Sequence, residues 1–187
     1  MQLDLSQAIQ TLHSGQVLAY PTEAVWGLGC DPYNQQAFEQ ILQLKNRPIE
    51  KGVILIAASL KQVEPFLAGL SAAQIAQMQQ SWDITEQEQA STWLVPLTHA
   101  VPTWISGQHN RVAIRVTTHP LVRQLCEGFG GAIVSTSANP AGLPPAKNST
   151  EIVNYFGEQL AVLDGPLGQS TAPSKIRDIV SGQVLRA

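Results

Sequence analysis

Val53-Ile54-Leu55-Ile56-Ala57 is a short, unbroken apolar run, rich in β-branched side chains and flanked by Gly52 and Ser59. Such a run reads as a strand buried on both faces, because a strand with one wet face alternates polar and apolar residues. Upstream, Ala37, Phe38, Ile41, Leu42 and Leu44 lie on one side of a helix capped by Asn34 and ending near Pro48. A buried strand that follows an amphipathic helix predicts an α/β fold, and the rest of the chain continues the mixture. Leu5, Ala8, Ile9 and Leu12 form a helix after Asp4 or Ser6, stopped by Gly15; Val17 to Tyr20 is a strand that ends at Pro21. Tyr20 to Gly29 reads as that strand followed by a glycine-bearing turn. Ser59 and Ser71 open short helices, and residues 81–92, polar and Gln/Glu-rich, read as a connection. Thr92 to Leu97, Arg111 to Thr117 and Ala132 to Ser135 read as strands. His119-Pro120 opens a helix through Leu125, and Thr150 caps another to Phe156. Leu160 to Leu163, Lys175 to Val180 and Val184 to Arg186 close the chain as short strands, and Gly165 to Pro173 reads as a mobile loop. With no repeat and no linker, one domain over residues 1–187 is expected.

The chain has 187 residues, enough to bury a core without covalent staples. Apolar residues make up 44% and charged residues only 13%; 20 Gln fill much of the difference. The surface is therefore polar but weakly charged. A net charge of −3 disfavours a strongly basic nucleic-acid binder as the default and leaves room for a local basic groove. Cys30 and Cys126 do not make a disulfide framework, and each reads as a small buried residue. No Cys-x-x-Cys or paired His spacing suggests structural zinc. The N-terminus has neither a basic leader nor a long apolar stretch, so no membrane segment and a cytoplasmic location are expected.

Nine of the eleven Lys/Arg fall in five places: Lys45, Arg47 and Lys51; Arg111 and Arg115; Lys147; Lys175 and Arg177; Arg186. Clustered cations in a sparsely charged chain suggest an anion site, although most such residues simply solvate a surface. In Lys45-Asn46-Arg47-Pro48, Lys45 occupies a last helical turn, where a cation also complements the helix dipole. Arg47 precedes a proline that keeps the backbone extended, so a guanidinium fork and an ammonium could share one polyphosphate. Ser135-Thr136-Ser137-Ala138-Asn139-Pro140 places hydroxyls and an amide at the end of a strand, suited either to phosphate or an amino-acid head group, or to turn chemistry. No P-loop, complete dinucleotide fingerprint or Gly-x-Ser-x-Gly elbow exists, and the four His are scattered.

Together, Tyr20-Pro-Thr-Glu-Ala-Val-Trp-Gly-Leu-Gly29, Lys45-Asn-Arg-Pro48, Val112-Ala-Ile-Arg-Val116, Ser135-Thr-Ser-Ala-Asn139, Pro173-Ser174 and Leu185-Arg186 resemble the YrdC/TsaC family, in its short form without a C-terminal extension. The resemblance runs the length of the chain. It implies a YrdC-like twisted mixed α/β sheet with flanking helices and a large concave cavity. It also implies synthesis of L-threonylcarbamoyl-AMP from L-threonine, bicarbonate and ATP with release of pyrophosphate, Mg2+ accompanying the ATP. Downstream threonylcarbamoyl-transfer proteins would then modify the adenosine next to the anticodon in tRNAs that read ANN codons. Carried over by position, Lys45, Arg47 and Lys51 face the ATP phosphates, with Lys45 and Arg47 catalytic. Arg111, Ser137, Asn139 and Arg186 contact the nucleotide, and Thr22, Arg115, Ser135 and Ser174 contact threonine. Departures from the family pattern are Glu88-Gln89-Ala90-Ser91 before Thr92, Ala141, Pro145 and Ile56.

The chemistry that this implies sets two anions, a carbamate and a triphosphate, against each other, and so requires fixed cations. Two other readings compete: an RNA- or tRNA-binding ribosome-maturation factor using the same basic cavity without turnover, and a carbamoyl-transfer domain of the same fold. The Lys45, Arg47, Lys51, Arg115 and Arg186 side chains are expected to converge on one cavity.

Overall fold

The computed structural model describes residues 1–83 and 89–187. The elements run β1 (Gln2–Leu3), α1 (Leu5–His13), β2 (Leu18–Pro21), β3 (Trp26–Gly29), α2 (Gln35–Lys45), β4 (Ile54–Ala57), α3 (Leu60–Val63) and α4 (Ala72–Trp82). They continue with β5 (Ser91–Pro96), α5 (Thr103–Ser106), β6 (Arg111–Val116), α6 (Pro120–Phe129), β7 (Ile133–Ser137), α7 (Ser149–Phe156), β8 (Ala161–Leu163), β9 (Lys175–Asp178) and β10 (Val184–Arg186). Short 3-10 turns cover Ile49–Lys51 and Glu64–Phe66. The strands form one mixed sheet of ten in the order β1-β8-β2-β3-β7-β4-β6-β5-β9-β10. This is the twisted mixed α/β architecture expected.

Several boundaries differ from the sequence reading. Asp4 caps α1 in a capping box with Gln7, and Asn148, not Thr150, caps α7 through its bond from the Glu151 amide. Trp26–Gly29 is a strand paired antiparallel with β2, Leu18 opposite Gly29 and Tyr20 opposite Gly27. Its glycines hide it from propensity, yet Gly29 is what lets it pack. A Cβ at Gly29 would sit 2.4 Å from the Val134 carbonyl oxygen and 2.8 Å from the Tyr20 ring. Gly29→Ala is accordingly expected to cost about 2 kcal/mol or more in urea denaturation, since it overpacks against backbone that cannot retreat. The connection assigned to residues 81–92 is shorter than expected: Trp82 ends α4 and Ser91 begins β5, while residues 84–88 lie outside those described.

Side-chain alternation along the central strands creates the site. In β7, Val134 enters the larger core with Phe38, Ile41 and Leu55, whereas Ile133, Ser135 and Ser137 share the opposite face. On that opposite face, α1 and α6 cover one end of the sheet: Ile133, Ile56, Tyr20 and Leu163 pack against Leu12, Val122 and Leu125. Beyond the helices the same face is uncovered. There the register sets Ile54 opposite both Ser135 and Ala113, and Ile56 opposite Arg115. A strand that is apolar beneath helices becomes hydroxyl-bearing or cationic where the cover ends. Ile56 is thus buried in the helix-covered layer, and Ile54 takes the place on the open part of the sheet.

Candidate active site

The uncovered face is a concavity of about 490 Å³. The β2–β3 turn (Thr22, Glu23), β6 (Arg111, Arg115), β7 (Ser135, Ser137), the turn after α2 (Arg47, Lys51) and the C-terminal segment (Ser174, Arg186) all reach it. Four of the five cations expected to converge do so, and Arg111 joins them. Against these five, Glu23 is the one carboxylate among the described lining residues.

Lys45 is the exception, and its position is a correction. It is 3% exposed and is not among the residues lining the cavity. Its Nζ donates to the carbonyl oxygens of Ser137 and Asn139 and to Asn139 Oδ1, while its own carbonyl accepts from the Ala141 amide. The last turn of α2 therefore grips the 137–141 turn from beneath. Asn46 stops the helix in the left-handed region (φ 47°), where an asparagine is tolerated. Burial, reinforced by the neighbouring Arg47, lowers the Lys45 pKa to about 8.

Asn139 also lies off the cavity. Its Oδ1 accepts from Ser137 Oγ at 2.6 Å, and its Nδ2 donates to the Pro140 and Leu143 carbonyls. Both residues assigned to nucleotide contact thus build the turn that presents Ser137. The 138–146 excursion closes back on β3, with Ala138 donating to Trp26, Trp26 to Ala146 and Ala146 to Ala138. That places Pro145 on the cavity wall.

The four arginines of the cavity wall are anchored before any substrate arrives. Arg47 donates from one terminal nitrogen to the Gly52 carbonyl at 2.9 Å and the Lys51 carbonyl at 3.4 Å, and its buried Nε has no partner among the described residues. Arg111 pairs with Asp178 at 3.0 Å, which ties β6 to β9. Arg186 donates to the Ser174 carbonyl and hydroxyl at 2.8 and 3.0 Å, and Ser174 Oγ meets Thr92 Oγ1 at 2.7 Å. The surviving Thr92 of the altered block thus supports Ser174. Arg115 is ion-paired with Glu23. Burial pulls its guanidinium down to about 10, Tyr20 opposing and Arg186 adding, so it stays charged at neutral pH.

Hydroxyl directions are also set. Thr22 Oγ1 donates to the Val25 carbonyl at 2.7 Å, leaving its lone pairs to accept from a ligand. The Tyr20 hydroxyl donates to the Val134 carbonyl at 3.3 Å, and burial pushes its pKa up against the lowering influence of the neighbouring Ser135. Cys30 and Cys126 are both buried, and desolvation raises each thiol pKa, Cys126 to about 12. The sequence reading assigned no role to Glu23 or His109, both on the cavity wall. A lone acid between Thr22 and an apolar stretch was the available signal for Glu23; His109 carried none.

Such a site, four anchored guanidinium groups, the Lys51 ammonium and a set of hydroxyls around one paired carboxylate, can bind and hold together more than one anion. The family model Sua5/yciO/yrdC, described as "Telomere recombination", matches residues 10–187. Threonylcarbamoyl-AMP synthase of Acinetobacter baylyi is 56% identical over 184 residues, covering 97% of this chain and 96% of that protein. The Cellvibrio japonicus protein of the same name is 50% identical, covering 97% and 94%. Among solved structures, P. abyssi Sua5 complexed with L-threonine superposes with a TM-score of 0.83 at 25% identity, covering 93% of this chain and 50% of that one. E. coli YciO superposes over the full chain and 92% of its own, with a TM-score of 0.81 at 22% identity, which speaks to the fold. A match over nearly the whole length, and relatives at least half identical, lead to one conclusion: the chain belongs to the Sua5/YciO/YrdC family.

Proposed function

We propose that this chain is a threonylcarbamoyl-AMP synthase: it condenses L-threonine with bicarbonate and transfers the resulting carbamate to the AMP moiety of ATP, releasing pyrophosphate. The observation that carries this reading is the convergence of Arg47, Lys51, Arg111, Arg115 and Arg186 on one cavity of a synthase-family fold. Threonine's amine adds to CO2 with loss of a proton to solvent, or to bicarbonate with a C–O bond broken and water released, giving a carbamate. A carbamate oxygen then attacks the α-phosphorus as the bond to the β-phosphate breaks. No protein nucleophile is required, and the buried thiols supply none. Catalysis is positioning plus charge stabilisation: fixed cations offset the repulsion between carbamate and triphosphate and the charge that moves onto pyrophosphate.

In this reading Arg47 and Lys51 take the phosphates, with Arg111 and Arg186 beside the nucleotide. Thr22, Arg115, Ser135 and Ser174 surround threonine, and Ser137 lies between the two. Lys45 and Asn139 act by holding the Ser137 turn. No group of three His, Cys, Asp or Glu among the described residues could hold a metal ion. The described donors therefore do not fit a resident cation, and a Mg2+ would be held by phosphate oxygens and water. The product is a reactive mixed anhydride, to be consumed by threonylcarbamoyl-transfer proteins acting on tRNA next to the anticodon. No helix among the described residues is long and apolar enough to cross a membrane. We place the reaction in the cytoplasm, within one domain spanning the chain.

Selectivity among amino acids tests the placement of threonine. A site whose buried polar groups pair with a substrate hydroxyl rejects analogues that lack it more strongly than an apolar pocket does. Valine is expected to be poorer than threonine by at least about 100-fold in kcat/KM, and serine by only about 10-fold. Pyrophosphate release with each amino acid, at fixed ATP and bicarbonate, measures both. Valine equalling serine would mean that the pocket reads shape, and the roles of Thr22, Ser135 and Ser174 would fall.

A further inference from the structure

We propose that Glu23 is a positioning residue for amino-acid binding: it holds one terminal nitrogen of Arg115 so that the rest of the guanidinium is available to a substrate carboxylate. The inference rests on the reading that Arg115 receives threonine. Both carboxylate oxygens of Glu23 are committed. Oε2 is paired with Arg115 Nη2, while Oε1 accepts from Thr117 Oγ1 at 2.7 Å and from the Thr118 amide at 3.4 Å. The two side chains are 4% and 10% exposed, so each would be costly to bury alone. Arg115 Nε is buried, has no partner among the described residues, and belongs to a residue on the cavity wall. A guanidinium gripped at one nitrogen, with unspent N–H groups beside a cavity, is preset for bidentate recognition.

The surroundings hold Glu23 in turn. The Gly168 amide donates to the Thr22 carbonyl at 3.0 Å, and a Cβ at Gly168 would approach Glu23 Cα to 2.8 Å. The turn that carries Glu23 is thus clamped between the end of β6 and the 165–173 segment. The Glu23 side chain itself is held toward Arg115 by its bonds to Thr117 and Thr118. As an ion-paired carboxylate with both oxygens occupied it is a poor base, so its effect on the reaction passes through Arg115.

Calorimetric titration of L-threonine, and separately of ATP, into wild type, Glu23→Gln, Arg115→Met, the double variant and Thr117→Val tests this. Glu23→Gln is expected to weaken threonine at least about 10-fold while ATP affinity changes less than about 2-fold. Thr117→Val, which loosens Glu23 without touching the cavity lining, is expected to weaken threonine about 3-fold and carries the test if Glu23→Gln fails to fold. On the Arg115→Met background, adding Glu23→Gln is expected to change threonine affinity by less than about 2-fold, since the two act as a unit. If Arg115→Met leaves threonine binding intact, the placement of threonine on Arg115 is wrong. If Arg115→Met weakens threonine but neither Glu23→Gln nor Thr117→Val does, or if either tightens it, the positioning role is overturned. Equal losses for threonine and ATP would make Glu23 a general structural residue and overturn it as well.

Discussion

Arg47→Ala is expected to fold and to release pyrophosphate at least about 100-fold more slowly than wild type, the scale on which a fixed transition-state charge contact acts. Its folding cost is expected to be near 1 kcal/mol, because only two carbonyl contacts, to Lys51 and Gly52, are lost at a half-buried site. Arg47→Lys is expected to restore little, since an ammonium cannot hold those carbonyls and a phosphate with one planar fork. Steady-state pyrophosphate release at saturating substrates, beside urea denaturation of the same preparations, separates the two effects. Near-normal turnover with a collapsed melting transition would make Arg47 a structural residue of the 48–52 turn.

Lys45→Met is expected to damage both stability and turnover. A contact with phosphate alone would have spared stability, but Lys45 is buried beneath the Ser137 turn with three oxygens around its Nζ. Removing it takes a donor from all three oxygens, of which Asn139 Oδ1 keeps the Ser137 hydroxyl and the Ser137 carbonyl keeps the Asn139 amide, at a cost of about 2–4 kcal/mol. Turnover is expected to fall by about 100-fold as Ser137 loses its placement. The pH dependence has a definite sign. Lys45 titrates near 8 in the folded chain against an ordinary 10.5, so between those values the unfolded chain holds a proton that the folded one has shed. Its contribution to stability is therefore full above about 10.5 and is lost as the pH falls through about 8. The stability of wild type minus that of Lys45→Met should grow from pH 8 to 10, as followed by urea denaturation at stepped pH. A flat or falling difference would contradict the buried position.

Residues that declare themselves locally were legible in the sequence. Of the helix starts the sequence offers, Asp4 rather than Ser6, Asn34 and Ser71 bond amides three residues on, while Ser59 opens its helix without such a bond. The β4 run was read from its unbroken hydrophobicity. What was not legible depended on partners far along the chain. Lys45 meets Ser137 across 92 residues, and Arg115 meets Glu23 across the same separation. Sequence alone shows Lys45 as a cation ending a helix, and nothing local says that it turns under another turn instead of toward solvent or phosphate. Gly27 and Gly29 conceal β3 for the converse reason: the value of Gly29 lies in the close approach of Tyr20 and Val134, a property of the sheet and not of the peptide. The hydroxyls of Ser135 and Ser137 were read as belonging to the end of a strand and the turn after it. They are strand residues, and it is the alternation of β7 that directs both to the open face.

The central claim is that the cationic cavity joins a carbamate of threonine to the AMP part of ATP. Its most direct test is pyrophosphate release by the intact chain with threonine, bicarbonate or ATP omitted in turn, with 13C-bicarbonate used to follow the carbon into product. The account predicts release only when all three are present, with one labelled carbon and one AMP per pyrophosphate formed. Release that does not require threonine, or salt-sensitive RNA binding by a chain that releases none, would contradict it.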